Sequence, residues 1–310
     1  MDQLKNIFLT SRPKQQFKNI LVIIPFVLSA NLWLPLSFEF IADLSLNVLL
    51  GLVSFILGSW FIYILNDSID KNVDKDHPEK SKRPITSNKL SQKNIIALSV
   101  FIASLSIYFG YLISLNFFIT LLIYLILMSL YSFGLKKLFF IDVVSIAFGY
   151  MLRVYAGATI VVYILDESAN VSIWLILCTG FASLFVLSIK RFSELKGNVS
   201  NIRSSLKGNI FYSKFLNLSI NFNEILTYIS YSLYCISVNF TSLFRGNTPS
   251  DSSLLLTLPF VVLGMRKFKK NSLESSFGDQ PEEIIFNSNF IKIIFICWVL
   301  LSSLIIYFRN

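Results

Sequence analysis

The stretch Asn66 to Pro84 reads Asn-Asp-Ser-Ile-Asp-Lys-Asn-Val-Asp-Lys-Asp-His-Pro-Glu-Lys-Ser-Lys-Arg-Pro, and it lies between the apolar runs Leu49 to Leu65 and Ile95 to Ile113. A carboxylate-rich segment therefore stands where one membrane helix ends and before the next begins, a costly place for charge. If the helix continues past Asn66, then Asp67, Asp70 and Asp74 fall at i, i+3 and i+7, on one face of about two turns. Like charges so placed repel unless a cation lies between them. Oxygen-only clusters suit Mg²⁺, which keeps few protein ligands and completes its shell with water and substrate phosphates. The basic residues that follow, Lys80, Lys82 and Arg83, suit a phosphorylated ligand. On a soluble protein the same mixture of Asp and Lys would read as a solvated face. Its position at a membrane boundary and its helical spacing favour a site.

Working outward, the chain has 310 residues, of which 54% are hydrophobic and 15% charged, with a mean hydropathy of +0.65. These values define an all-α polytopic membrane protein, read as one domain over 1–310 with no linker or repeat. The net charge of +9 does not indicate nucleic acid, because the basic residues cluster in alternate loops, the positive-inside pattern. Cys178, Cys235 and Cys297 all lie in apolar runs and read as small core residues without a disulfide framework. The basic N-terminus and the apolar run behind it resemble a signal peptide, but no convincing cleavage site follows, so the run is read as a retained helix.

Nine membrane helices are expected, near 18–36, 45–66, 93–114, 116–134, 141–163, 172–190, 221–243, 252–266 and 289–308. The loops then divide by charge. One side receives Lys5, Arg12, Lys14 and Lys18, the aspartate loop, Lys136 and Lys137, the Lys190 to Lys214 segment, and Arg266 to Lys270. The other receives Glu39, Asp43, Asp166, Glu167, Arg245 and Asp251. The basic side is the cytoplasmic one, so the N-terminus and the aspartate loop face the cytoplasm.

Other charged residues need an explanation. Lys190, Arg191 and Glu194 end the sixth expected helix on one face, as a local salt bridge or as an anion site on the side of the aspartates. Arg153 lies inside the fifth apolar run, with Asp142 eleven residues earlier on nearly the same face, which reads as a structural ion pair or as a polar cavity. Gly149 and Gly157 beside it permit close packing, and Tyr150 and Tyr155 offer polar contacts. Before the first helix, Arg12, Lys14, Lys18 and Asn19 can set topology, but Asn19 at the start of a span calls for a further reason. His77 is the only histidine, and no CxxC, HExxH, Walker or GxGxxG pattern of value is present.

The NDxxDxxxD pattern of Asn66, Asp67, Asp70 and Asp74 on such a chain resembles the UbiA superfamily of intramembrane prenyltransferases, whose aspartate-rich motif at the end of the second helix binds Mg²⁺ and a substrate diphosphate. The resemblance is sharpest to the polyprenyl-phosphate phosphoribosyltransferases, the decaprenyl-phosphate branch. It rests on RPKQQFKN at Arg12 to Asn19, NDSIDKNVDKDHPEKSKRPI at Asn66 to Ile85, YSFGLKKLFFIDVVSIAFGYMLRVYAGA at Tyr131 to Ala158, KRFSEL at Lys190 to Leu195, and GDQP at Gly278 to Pro281. Where prenyl-diphosphate users carry a second aspartate-rich motif, this chain has Lys190, Arg191 and Glu194.

The resemblance implies a nine-helix bundle in a prokaryotic cell membrane with its active site on the cytoplasmic side. The implied reaction moves 5-phosphoribosyl from phosphoribosyl diphosphate (PRPP) to a membrane polyprenyl phosphate and releases diphosphate. Asp67, Asp70 and Asp74 would hold Mg²⁺. Substrates would meet Asn66, Arg12, Lys18, Asn19, Lys82, Arg83, Tyr131, Lys136, Asp142, Arg153, Lys190, Arg191 and Glu194. The segment with Asn198, Asn201 and Asn209 could act as a cytoplasmic lid, and a monomer and a homo-oligomer both stay open. One alternative is an aromatic prenyltransferase with a polyprenyl diphosphate donor, which would want the second acidic motif. Another is an ion-coupled transporter, which would place charges near the bilayer midplane.

Overall fold

Four serines start long helices. The hydroxyls of Ser37, Ser91, Ser114 and Ser288 accept from the backbone N–H groups of Phe40, Asn94, Phe117 and Ile291, and so satisfy helix-start donors that would otherwise lack partners. The structure, a computed structural model, describes residues 2–76, 79–138, 140–165, 171–196, 210–243, 252–274 and 281–308.

Its helices are α1 (Asp2–Thr10), α2 (Pro13–Gln16), α3 (Ile24–Leu28), α4 (Ala30–Trp33), α5 (Phe38–Ile69), α6 (Lys71–Asp74), α7 (Gln92–Ile113), α8 (Leu115–Phe133), α9 (Ile141–Leu165), α10 (Ile173–Lys196), α11 (Ile210–Leu243), α12 (Leu258–Glu274), α13 (Pro281–Asn287) and α14 (Asn289–Tyr307). Short 3₁₀ turns occupy Phe17–Val22, Lys80–Lys82, Leu135–Lys137 and Ser253–Thr257. No β-strand occurs among the described residues. Six helices among them are long and apolar enough to cross a bilayer: α5, α7, α8, α9, α10 and α14.

The other three expected spans take different forms. Residues 18–36 are divided among the Phe17–Val22 turn, α3 and α4, residues 221–243 lie inside α11, and 252–266 covers the Ser253–Thr257 turn and the first part of α12. The break in the first of these has a local and a distant cause. Pro25 has no N–H to give to a continuous helix. Beyond that, the Val22 carbonyl presses on α9 where a Cβ at Gly157 would overlap it, so the 3₁₀ turn is fixed by a contact that only glycine allows.

The helices group into two compact units. The first contains α1, α2, the Phe17–Val22 turn and α5 to α9; the second contains α4 and α10 to α14, and the division passes within α3. In the first unit Phe55 packs edge-on to Phe117 at 5.8 Å and against Tyr124 at 5.1 Å. Ser54 and Ser106 join α5 to α7 by reciprocal bonds, each hydroxyl donating to the other's carbonyl at 2.8 Å. Small residues at Gly58 and Gly110 let these helices approach, as they do inside membranes. In the second unit Phe185, Ile189, Ile220 and Phe268 form one core cluster. Another is pinned by Trp298, whose indole donates to the Tyr231 hydroxyl at 2.8 Å, 2.5 Å from Thr257. The three cysteines are free thiols. Phe101, Tyr108 and Leu112 on α7, and Ile293, Leu300 and Leu304 on α14, are exposed, as lipid-facing side chains are.

Candidate active site

α5 carries a polar face into its last turns. Ser59, Tyr63, Asn66, Asp67 and Asp70 recur at helical spacing, and the helix winds to Ile69 before Asp70 caps it. The winding is nearly kept across the cap: Asp70 N–H donates to the Asn66 carbonyl at 2.9 Å, and Asp74 N–H at the end of α6 donates to the Asp70 carbonyl at 2.8 Å. Asp67, Asp70 and Asp74 are all buried. Buried carboxylates must be paired.

Their partners come from distant segments. Asp67 accepts from Arg12 and, at 2.9 Å, from Arg83 Nη1. The same Nη1 donates to Asp74 at 3.0 Å, and Lys80 Nζ lies 3.5 Å from the other Asp74 oxygen. Asp70 receives Lys136 Nζ at 2.5 Å, and that ammonium also donates to Asn66 at 3.3 Å. Three buried carboxylates thus meet four cations, of which Lys136 is buried and Arg12, Lys80 and Arg83 are partly exposed. Arg12 reaches the cluster from a left-handed backbone (φ 50°) just before Pro13, with its guanidinium 4.9 Å from the Tyr63 ring centre. Its buried Nε has no acceptor among the described residues. Burial, then the neighbouring Arg12 charge, pulls the Arg83 guanidinium below its ordinary pKa, while Asp67 and Asp74 oppose the shift.

A second network lies on the same face of α5, about 12 Å from Asp67 by helical rise. Arg153 is buried in α9, where Nε donates to Asn19 at 2.8 Å, Nη1 to the Gly149 carbonyl at 2.9 Å, and Nη2 to Tyr124 at 2.7 Å and Ser59 at 3.4 Å. Every one of these acceptors is neutral. The ion-pair alternative for Arg153 and Asp142 is not formed; Asp142 accepts from Tyr131 at 2.9 Å. Arg153 thus sits in a polar, uncharged surrounding.

The first unit therefore brings together Arg12, Asn66, Asp67, Asp70, Asp74, Arg83 and Lys136, and separately Asn19 with Arg153. Lys18 is half-buried on the turn that carries Asn19. Lys82 stays outside, exposed, 3.7 Å from Glu79. In the second unit Arg191 Nη1 donates to both Glu194 oxygens at 2.8 Å near the end of α10, the local salt bridge that the spacing allowed. His77, Asn198, Asn201, Asn209, Gly278, and the loop residues Asp166, Glu167, Arg245 and Asp251 lie outside the described residues. Spacing had not singled out Ser59, Tyr63 or Tyr124. The first two are legible in retrospect from their i, i+4 and i+8 relation to Asp67; Tyr124 is a long-range contact with no such signal.

No three Asp, Glu, His or Cys side chains converge as a ready-made metal cage among the described residues. Mg²⁺ does not require one, since one or two carboxylates commonly hold it together with water and substrate phosphates. Oxygen-only donors at Asp67 and Asp74, bridged by a single Arg83 nitrogen, fit that mode, while the buried Arg12 Nε–H beside them is a donor left for an anionic oxygen.

Helices long and apolar enough to cross a membrane, with a buried acidic and basic cluster at the end of α5, define a polytopic membrane protein with a charged site at a helix end. The chain belongs to the UbiA prenyltransferase family, which residues 22–276 match. It is 25% identical over 302 residues to the decaprenyl-phosphate phosphoribosyltransferase of Mycolicibacterium smegmatis, covering 96% of this chain and 91% of that one. It is 27% identical over 301 residues to the enzyme of the same name from Corynebacterium glutamicum, covering 96% and 85%. Among solved structures, a UbiA homolog from Archaeoglobus fulgidus bound to GPP and Mg²⁺ superposes with a TM-score of 0.69 at 17% identity, over 97% of this chain and 99% of that one.

Proposed function

We propose that this protein transfers 5-phosphoribosyl from PRPP to a membrane polyprenyl phosphate, releasing diphosphate, with Mg²⁺ at the aspartate cluster. The observation that carries the proposal is the excess of cation around buried carboxylate. Arg12, Lys80, Arg83 and Lys136 stand against Asp67, Asp70 and Asp74, a composition suited to a polyanion arriving with a divalent metal. The names of the relatives above support a phosphoribosyl group as the group transferred and a polyprenyl phosphate as its acceptor.

In this proposal Asp67, Asp70 and Asp74, with Asn66, would hold Mg²⁺. Mg²⁺ bound there supplies positive charge against the leaving diphosphate. Arg12, Arg83 and Lys136 offer N–H groups to phosphate oxygens. They stabilise the charge that grows as the bond to the anomeric carbon breaks. Arg153, held by neutral dipoles at the far end of the α5 polar face, holds a second anionic group, the donor's 5-phosphate or the acceptor's phosphate. Asn19, Ser59 and Tyr124 orient that guanidinium; Tyr131 and Asp142 fix the start of α9, and Lys18 faces the incoming phosphate. Lys82 closes over the donor from the loop, and Lys190, Arg191 and Glu194 guide an anionic substrate group. A phosphate dianion attacks without a general base, in keeping with a site built of Arg, Lys and Asp.

The chain acts as one domain over 1–310 with nine membrane segments, its N-terminus and site loops cytoplasmic, and the polyprenyl tail in lipid. The charge division of the loops supports this orientation. The test is donor choice on purified protein in lipid: PRPP with a polyprenyl phosphate against a prenyl diphosphate with an aromatic acceptor. A phosphoribosylated lipid is expected; a prenylated ring alone would return the chain to the aromatic prenyltransferase alternative.

A further inference from the structure

A cleft of about 570 Å³ opens between α11 and α12 in the second unit, and its polar lining plays no part in the reaction proposed above. Arg266, Lys269 and Lys270 of α12 face Glu224 and Tyr228 of α11, three cations to one carboxylate. The carboxylate is already committed. Glu224 is buried and accepts from Lys269 at 2.6 Å and from Tyr228 at 2.8 Å, while Lys269 also donates to Asn221 at 2.7 Å.

This network is more than a set of solvated lysines that snorkel to the surface. One lysine is fixed by two acceptors on the neighbouring helix, so the wall of the cleft is pre-shaped. Arg266 and Lys270, both exposed, form no ion pair with a carboxylate among the described residues. The cleft is also amphiphilic. Ile225 lines it, and Phe222, Ile229 and Leu263, exposed on the same two helices, continue its apolar flank. A ligand that satisfies both parts has an anionic head and hydrocarbon tails. A basic pocket between helices on the positively charged side of a membrane protein is where acidic lipids bind.

We infer that this cleft binds the phosphate headgroup of an anionic phospholipid, with Arg266 and Lys270 holding the phosphate and Glu224, through Lys269, setting the width of the mouth. The inference uses only the membrane placement of the chain and stands independently of its donor and acceptor.

The experiment is native mass spectrometry of the full-length protein released from nanodiscs of phosphatidylcholine doped with phosphatidylglycerol. Wild type is expected to retain phosphatidylglycerol adducts. The double variant Arg266→Gln/Lys270→Gln should bind about 30-fold more weakly, and Arg266→Lys/Lys270→Arg, which keeps both charges, should restore binding. The restoring variant separates loss of the site from loss of the fold. Unchanged adducts in the Gln variant would overturn the inference. Equal protection by inorganic phosphate would also overturn it, by removing the need for a lipid. Displacement of phosphatidylglycerol by a polyprenyl phosphate would overturn it too, by assigning the cleft to the substrate lipid.

Discussion

Lys136 Nζ lies 2.5 Å from the Asp70 carboxylate, joining the turn after α8 to the end of α5 across 66 positions of sequence. Both groups are largely out of water, so the pair holds a site together that neither segment could form alone. Replacing Lys136 by Met should leave Asp70 buried and uncompensated, at a cost of about 3 kcal/mol. The measurement is a thermal unfolding midpoint in lipid, expected to fall, with transfer reduced about 100-fold. Lys136→Arg should recover stability more fully than transfer.

Arg83 joins Asp67 and Asp74 through one nitrogen, at 2.9 and 3.0 Å. A lysine carries the charge but not the planar fork that serves a diphosphate. Arg83→Lys should raise the KM for PRPP about tenfold with a smaller loss in kcat. Steady-state kinetics with PRPP as the varied substrate reads that split.

Gly157 admits the Val22 carbonyl against α9. Gly157→Ala should push the Phe17–Val22 turn away and with it Asn19, the acceptor of Arg153 Nε. Overpacking of this kind costs about 1 to 3 kcal/mol. A lower unfolding midpoint together with weakened transfer is expected, since fold and site share this contact.

These contacts separate what the sequence discloses from what it withholds. The aspartate face was legible because its members lie within two helical turns, where spacing alone sets direction. The pairing of Asp67 with Arg12 and of Asp70 with Lys136 was not, because those cations come from 55 and 66 positions away and were named as site residues only through the resemblance. Arg153 was legible as a buried charge needing an explanation, and its helical offset from Asp142 left an ion pair open beside a polar surrounding. The fold gave Asp142 to Tyr131 and left Arg153 with neutral acceptors. The expected helix over 18–36 is broken into three pieces, because of Pro25 and for a reason as distant. Hydropathy registers apolar composition, whereas the break depends also on a carbonyl meeting Gly157 on a distant helix.

Arg153 offers a sharper test of the second anionic pole. Arg153→Met removes the charge and keeps much of the apolar stem, so folding should survive while the KM of one phosphorylated substrate rises at least about tenfold. Varying PRPP and polyprenyl phosphate in turn identifies which substrate it holds. An unchanged KM for both would confine Arg153 to packing.

The central claim is that Asp67, Asp70 and Asp74 hold Mg²⁺ and the donor diphosphate for phosphoribosyl transfer. The most direct measurement follows label from PRPP into polyprenyl phosphate by purified protein in lipid, with and without Mg²⁺, for wild type and Asp67→Asn. The account predicts a labelled lipid that forms only with Mg²⁺ and is lost in the variant while its unfolding midpoint persists. Undiminished transfer by Asp67→Asn, or transfer indifferent to Mg²⁺, would contradict it.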